Sequence, residues 1–256
     1  MEKISVIVIC LNEGANIGPC LDSVAFADEI IVLDSGSTDG TLDIARSKGA
    51  KVTVTSDWPG FGVQKGRALA LATSPWVLSI DADERVTPEL AAQIQAAIRS
   101  DGVVAFEIPR LTQFCGQWIH HCGWTPDYVL RLFRRERARF SADLVHERVI
   151  VDTEVVGRLK VPLLHYSYPT PHHYWKKLEL YSDAWARQRF QSGQKTSMLR
   201  AFSSGLMAFI KSYVFRKGFL DGAMGFAVCT MQAQAAFAKY FALYCLHKRQ
   251  EIENIA

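Results

Sequence analysis

The sequence predicts an α/β protein, a mostly parallel, doubly wound sheet flanked by helices and continued by a C-terminal helical extension. Three observations lead there. Short β-branched runs alternate with helical patterns from the first residues to about position 108. After Pro171 the pattern is helical to the end. Charge divides in the same way: residues 1–165 carry 17 Lys and Arg against 21 Asp and Glu, and residues 166–256 carry 12 against 5. A net −4 front and a +7 rear point to two tasks. The 256 residues are 49% apolar and 21% charged, which excludes a disordered chain and a small stapled module.

The elements follow in order. Ile4–Cys10 (ISVIVIC) is almost wholly apolar, as a strand buried on both faces requires. Asn12–Val24 has helical spacing, with Ile17, Leu21 and Val24 on one face. Glu29–Leu33 is a second strand ending at Asp34, and the turn Ser35–Gly40 leads into a helix over Thr41–Ser47. Lys51–Thr55 alternates as a third strand. A helix over Gln64–Thr73 leads to a fourth strand, Trp76–Ile80, which ends in Asp81-Ala82-Asp83-Glu84. Pro88–Ile98 is a helix with Pro88 in its first turn, and Val103–Ile108 is a further strand. Leu111–Lys160 has weak periodicity and is rich in Trp, His and Arg, with Arg131, Arg134, Arg135, Arg137 and Arg139 close together. Three helical segments close the chain: His172–Phe190, Ser197–Lys217 and Leu220–Lys248.

None of the six cysteines forms a CxxC pair, so free thiols are expected, in a reducing compartment. Lys3 precedes a short apolar run that Asn12-Glu13-Gly14 ends without a small-residue cleavage site. The expectation is a cytoplasmic protein. No run reaches 18 uninterrupted apolar residues, so a transmembrane helix is not expected.

Polar clusters follow three strands: Asn12-Glu13, Asp34 with its turn, and Asp81-Ala82-Asp83. In a parallel sheet they gather at the carboxyl edge, where ligands bind. Asp81 and Asp83, in extended backbone, point to one side and repel unless a cation lies between them. Mg²⁺ or Mn²⁺ bridging to substrate phosphates meets that need. The plainer alternative has Asp83 capping the next helix and Asp81 solvated. Asp34 reads either as a turn-forming residue or as an acceptor for a base or ribose. Lys65 and Arg67, near the start of their helix, suit a diphosphate or a solvated helix face. With no GxGxxG after the first strand and no Walker lysine, dinucleotide oxidoreductases and P-loop NTPases lose support.

In these stretches the chain resembles family 2 glycosyltransferases of the GT-A fold: SVIVICLNEGANI (Ser5–Ile17), IIVLDSGSTDGT (Ile30–Thr41) and WVLSIDADERV (Trp76–Val86). Further stretches are similar to the lipopolysaccharide-core β-1,4-glucosyltransferase subfamily: Gly60–Ala72, FCGQWIHHCGWTPDYVLRLFRR (Phe114–Arg135), LVHERV (Leu144–Val149), LLHYSY (Leu163–Tyr168) and GFLDGAMGF (Gly218–Phe226). The resemblance implies inverting transfer of a hexose, most often glucose from UDP-glucose, to a heptose of the inner core. It implies a GT-A catalytic domain over 1–168, with a nucleotide-sugar half (1–110) and an acceptor and catalytic half (111–168). The remaining 169–256 would be a helical extension for membrane or partner. By the same resemblance Asp83 holds the Mg²⁺ or Mn²⁺ with Asp81 beside it, and His165 completes the metal shell. Asn12, Glu13, Asp34, Ser35, Lys65 and Arg67 line the nucleotide. Many relatives have a second acidic residue where Ser35 stands. Glu147 is the expected general base and Asp127 the runner-up.

Trp118, Trp124 and Tyr128 offer faces for sugar stacking, and the middle arginines suit a phosphorylated acceptor. The C-terminal segments interleave Lys176, Lys177, Arg187, Arg189, Lys211, Arg216 and Lys217 with aromatic residues. Such segments suit an anionic membrane surface, here the inner face of the bacterial inner membrane. No nucleic-acid partner is implied. Two rivals stand beside this reading: a D-x-D phosphatase of the haloacid-dehalogenase type, and a membrane-associated sugar-binding scaffold without turnover.

Overall fold

The computed structural model describes residues 2–100, 102–141, 148–152 and 155–253. They divide into two compact units, one of Met1–Leu111 with Asp127–His165 and one of Thr112–Pro126 with Tyr166–Ala256. The expected boundary at 168/169 therefore moves three residues earlier, and the segment 112–126 leaves the catalytic domain for the helical unit. That segment carries its own apolar anchors, Phe114, Ile119 and Cys122, which cluster with Val228, Cys229 and Met231. Its weak periodicity concealed this allegiance.

In chain order the elements are β1 (Ile4–Cys10), α1 (Ile17–Ser23), β2 (Glu29–Asp34), α2 (Thr41–Ser47), β3 (Lys51–Val54), α3 (Phe61–Leu71), β4 (Trp76–Asp81), β5 (Glu84–Arg85) and α4 (Pro88–Ala97). Then come β6 (Ala105–Phe114), β7 (Gln117–Ile119), β8 (Asp127–Arg134), β9 (Ala138–Phe140), β10 (Val149–Val151), β11 (Gly157–Arg158) and β12 (Leu163–Tyr168). The helices α5 (Pro171–Gln191), α6 (Met198–Ile210) and α7 (Gly222–Glu253) follow.

The main sheet runs β3-β2-β1-β4-β8-β6-β12-β5. The pairs β3–β2, β2–β1 and β1–β4 are parallel, whereas β8 joins β4 and β6 antiparallel. The parallel part needs helical crossovers, and β1, β2 and β4 are covered on both faces while β3 forms an exposed edge. Alternate residues of β1 accordingly enter two cores. Val6 and Val8 lie with Ile17, Leu21, Leu90 and Ile94. Ile7 and Ile9 lie with Ile31, Leu33, Ala68 and Ala72. Each such aliphatic side chain stabilises the fold by roughly 1.5–3 kcal/mol.

Glu29 ties three parts of this sheet together. Its carboxylate accepts from the Ser5 hydroxyl at 2.6 Å, the Thr73 N–H at 2.9 Å and the Lys51 ammonium at 2.7 Å. Burial opposes ionisation, but these donors outweigh it and hold the Glu29 pKa down to about 2. Helix α4 starts at Thr87, whose hydroxyl accepts from the Leu90 N–H at 3.1 Å, with Pro88 at the first helical position. Thr87, not Asp83, is the cap.

In the helical unit α7 packs on α5 and α6. A Cβ at Gly205 of α6 would meet the Ala233 carbonyl at 3.1 Å, so glycine permits that close approach. A π-helical turn over Lys211–Phe215 and a 3₁₀ turn over Gly218–Asp221 join α6 to α7. All six cysteines are free, and Cys10, Cys20, Cys122 and Cys229 are buried. Burial pushes the Cys20 thiol up to about 12, which keeps it protonated and inert.

Candidate active site

The site is built at the carboxyl ends of β1, β2 and β4. Register places Cys10 opposite Asp34 and Ile9 opposite Asp81, so three strand-end polar clusters meet at one edge. The first two loops are knit together. The Asn12 N–H donates to the Ser37 hydroxyl at 2.7 Å, and the Asn12 side-chain carbonyl accepts from the Thr38 N–H at 2.9 Å. The Glu13 N–H donates to the Thr41 hydroxyl at 2.9 Å, and the Gly14 N–H to Asp39 at 3.0 Å. Asn12 adopts φ 55°, a left-handed conformation that asparagine tolerates. A side chain at Gly14 would begin 3.0 Å from the Asp39 carboxylate.

Asp34 is fully buried, and it organises the second loop. One oxygen accepts the Gly36 and Ser37 N–H groups at 2.8 and 2.7 Å, and the other accepts the Ser37 hydroxyl and the Cys10 thiol. The turn-forming alternative is therefore the one realised, and direct contact of Asp34 with a base or ribose is corrected. Ser35 is half-buried, and its hydroxyl accepts from Gln64 at 3.0 Å. Burial raises the Glu13 pKa, and the nearby charges of Asp83 and Asp39 push the same way against the Asn16 hydrogen bond and Arg85.

The D-x-D segment differs from the expected extended geometry. Strand β4 ends at Asp81, residues 82–83 form a turn, and the two carboxylates go to different partners. Asp81 Oδ1 lies 2.9 Å from Lys65 Nζ, and Asp81 Oδ2 accepts from Arg131 Nη2 at 2.5 Å. The cation that relieves Asp81 is thus supplied by the protein. Although burial opposes its charge, Arg131 and Lys65 hold the Asp81 carboxyl well below the usual carboxylate range. The same arginine reaches Glu84 Oε1 at 2.7 Å, and Glu84 also accepts the Asp81 N–H at 2.9 Å. Arg110 lies 3.6 Å from Glu84 and donates to Asp127 from Nε at 2.9 Å. Lys65, Arg131 and Arg110 thus alternate with Asp81, Glu84 and Asp127 in one compensated chain of charge.

Two sequence expectations change here. Both Asp81 oxygens have cationic partners, so its assignment as metal ligand is corrected to an anchor of the network. Lys65 is buried in the second turn of α3 and belongs to Asp81. Arg67 forks onto Asp57 at 2.7 and 2.8 Å, so neither cation is held out for a diphosphate. The roles of Glu84 and Arg110 were missed, and Arg131, read from sequence with the other middle arginines for a phosphorylated acceptor, is instead buried against Asp81 and Glu84. A lone arginine in the apolar run Val129-Leu130-Arg131-Leu132-Phe133 was the available signal.

Asp83 and His165 do come together. Strands β5 and β12 pair antiparallel, with His165 opposite Glu84, and His165 Nε2 lies 3.3 Å from Asp83 Oδ2. Among the described residues no group of three or more His, Cys, Asp or Glu side chains converges as a metal cage. Two ligands suffice for a cation that keeps waters and shares substrate phosphates. Neighbouring ligands about 2.0–2.1 Å from an octahedral ion lie roughly 3 Å apart. The Asp83–His165 separation fits that edge, and the carboxylate suits Mg²⁺ or Mn²⁺.

Glu147 lies outside the described residues. Asp127 is paired with Arg110 and 43% exposed. Trp124 joins the core of the helical unit beside Phe114 and Tyr168, and Trp118 stands edge-on to Tyr166 at 5.2 Å. Arg158 lies 4.8 Å over the ring of Tyr128. The middle arginines are also engaged: Arg131 is buried, Arg134 lies over Trp76 and bonds Glu2, and Arg137 bonds Asp152. Their expected part in binding a phosphorylated acceptor is not carried by Arg131, Arg134 or Arg137, which are engaged within the chain.

A parallel α/β half with knit strand-end loops, a D-x-D turn and an antiparallel half defines a glycosyltransferase of the GT-A fold. The family model for glycosyl transferase family 2 matches residues 5–152, and the chain belongs to that family. It is 31% identical over 268 aligned positions to the lipopolysaccharide core biosynthesis glycosyltransferase LpsC of Rhizobium meliloti, covering 98% of this chain and 96% of that one. An uncharacterized glycosyltransferase of Rickettsia typhi is 32% identical, over 93% of this chain and 86% of its own. Among solved structures, glucosyl-3-phosphoglycerate synthase from Mycobacterium tuberculosis, in complex with Mn²⁺, UDP and glucosyl-3-phosphoglycerate, superposes with a TM-score of 0.50. It is 20% identical and covers 77% of this chain and 82% of that chain, a likeness of fold.

Proposed function

We propose that the protein transfers a hexose, glucose from UDP-glucose, to a heptose of the lipopolysaccharide inner core, with inversion at the transferred carbon. The observation that carries this reading is the Asp83–His165 pair at the end of β4, beside an Asp81 whose charge is already compensated. The nearly full-length likeness to LpsC supports the acceptor class.

In this reading Asp83 and His165 hold a divalent ion. When bound, that ion supplies positive charge for the diphosphate as it leaves. Lys65 and Arg131 hold Asp81 in place, and the knit loops from Asn12 to Thr41 shape the nucleoside seat. Inversion is one in-line displacement. Glu147 takes the proton of the acceptor hydroxyl from about 2.6–3.2 Å while the bond from sugar to diphosphate breaks on the opposite face.

We place the reaction at the cytoplasmic face of the inner membrane. No described helix is long and apolar enough to cross a bilayer. Helix α6 instead exposes Leu199, Phe202 and Leu206 at helical spacing, and Val214 and Phe215 follow. Exposed Lys195, Arg200, Lys211, Arg216 and Lys217 accompany them. Apolar side chains with cations suit an anionic interface.

The test is a thermal shift with UDP-glucose, UDP-galactose and other nucleotide sugars, with and without Mn²⁺. We expect selective stabilisation by UDP-glucose that requires Mn²⁺ and disappears in Asp83→Ala. An Asp83→Ala protein stabilised as strongly as wild type removes the metal assignment.

A further inference from the structure

Two stretches marked out in the sequence, FCGQWIHHCGWTP and GFLDGAMGF, have no part in the strand-end site. The helical unit sets the first of them, with Phe215, Arg216 and Lys217, around a cleft of about 370 Å³, and the second supports it through Asp221. His120, His121, Gly123, Phe215, Arg216 and Lys217 are among its walls.

The cleft is held in place from beneath. Asp221 is buried, and it accepts the His121 N–H at 2.8 Å, the His120 N–H at 3.3 Å and the His121 ring at Nδ1, 2.9 Å away. Burial opposes its ionisation, but these bonds keep its pKa lowered. With Nδ1–H donated to the Asp221 carboxylate, Nε2 of the neutral His121 ring is an acceptor. The Cys122 N–H donates to the Arg216 carbonyl at 3.1 Å, and Arg216 Nη1 donates to the Gly123 carbonyl at 3.2 Å. Gly123 has φ +78°, and a Cβ there would lie 2.1 Å from Arg216 Nη1. The glycine therefore makes room for the guanidinium. A Cβ at Gly225 would lie 1.9 Å from the Gly218 carbonyl, so the second stretch is close-packed as well. Lys217 adopts φ 54°, a conformation unfavourable for lysine.

We infer that this cleft binds a phosphomonoester, with Arg216 as fork, Lys217 as point charge and His120 as a further donor, while His121, its Nδ1–H given to Asp221, holds the wall. Two permanent cations around one cleft match a group carrying close to two negative charges. Phe215, in the same wall, is 75% exposed, and the neighbouring Phe219 and Leu220 are exposed as well. An anion seat beside unpartnered apolar side chains suits a phosphate carried on a lipid. Assigning that phosphate to the acceptor rests on the transfer reading above. The cleft itself does not.

The test uses the full-length protein and vesicles of phosphatidylcholine, alone or with equal proportions of phosphatidic acid or phosphatidylglycerol. Glycerol 3-phosphate serves as the soluble phosphomonoester. We expect binding to rank phosphatidic acid, phosphatidylglycerol, phosphatidylcholine, and glycerol 3-phosphate to compete. Lys217→Gly removes the charge while easing the backbone, and Arg216→Gln removes the fork. Each should weaken phosphatidic-acid binding roughly ten- to hundredfold. Gly123→Ala should act in the same direction by displacing Arg216 with its charge intact.

If only glycerol 3-phosphate binding depends on Arg216 and Lys217, the cleft stands and its ligand is soluble. If phosphatidic acid and phosphatidylglycerol bind alike and Lys217→Gly matches wild type on every probe, the inference is overturned. The Mn²⁺-dependent UDP-glucose shift on the same wild-type samples separates the two failures. A donor shift without phosphomonoester binding sinks the cleft alone, and the reverse sinks the donor reading alone.

Discussion

The two units handle charge and apolar surface in opposite ways. In the α/β unit the large apolar side chains of β1, β2 and β4 are buried, and the acidic groups at the strand ends have named partners. In the helical unit α6 and the following turns leave Leu199, Phe202, Val214 and Phe215 exposed, with basic residues between them. The first is organised around strand-end carboxylates whose charges are met within the unit. The second keeps apolar area available for something outside the chain. The proposed transfer to a lipid-borne acceptor draws on both, and the two are segregated by unit.

The comparison can be pressed at its chemical end first. Glu147→Gln should leave the donor-induced thermal shift unchanged and lower turnover by about 10²–10⁴-fold. Near-normal turnover would transfer the base role to Asp127. Next is the compensated network. Arg131→Met leaves Glu84, fully buried, and Asp81 short of their principal cation, and should cost about 3–5 kcal/mol. Chemical denaturation reads that loss, and a change under 1 kcal/mol would mean that Lys65 and Arg110 suffice.

Glu29 gives a pH-dependent counterpart. Its folded pKa, about 2, lies below the ordinary glutamate value of 4.5. Its stabilisation, about 3 kcal/mol, is therefore complete above pH 4.5 and is lost as pH falls toward 2. Glu29→Gln should be less stable at neutral pH, and its gap from wild type should close over that window. Parallel stability curves would exclude the linkage. The smallest effect belongs to the helical face. Phe202→Ser and Phe215→Ser should each weaken sedimentation with anionic vesicles by roughly tenfold. Folded variants that sediment like wild type would show that the exposed stripe serves another purpose.

Legibility followed the same division. The parallel strands were readable because burial on both faces demands uninterrupted β-branched runs, and ISVIVIC or WVLSI has no competing period. The C-terminal helices were readable from their length and spacing, to within a few residues. The segment 112–126 was not, since its Trp, His and Cys side chains contact α7 rather than following one strand or helix period. At the site, the position of Asp83 at a strand end was legible, but the separate fates of Asp81 and Asp83 were not. A two-residue spacing implies a common side only while the chain stays extended, and the turn at 82–83 breaks that condition.

The sequence alone determined the βαβ order, the acidic strand ends, the helical rear and the family. These are local or one-dimensional properties, carried by periodicity and by motifs in a set order. Only the tertiary structure decided that Arg131 and Lys65, 50 and 16 positions from Asp81, neutralise it. It likewise decided that His121 and Asp221 support one cleft, and it brought His165, expected there by resemblance, to 3.3 Å from Asp83. Pairings of this kind depend on strand register and helix packing, and two charges far apart in sequence find each other only after the backbone has been placed.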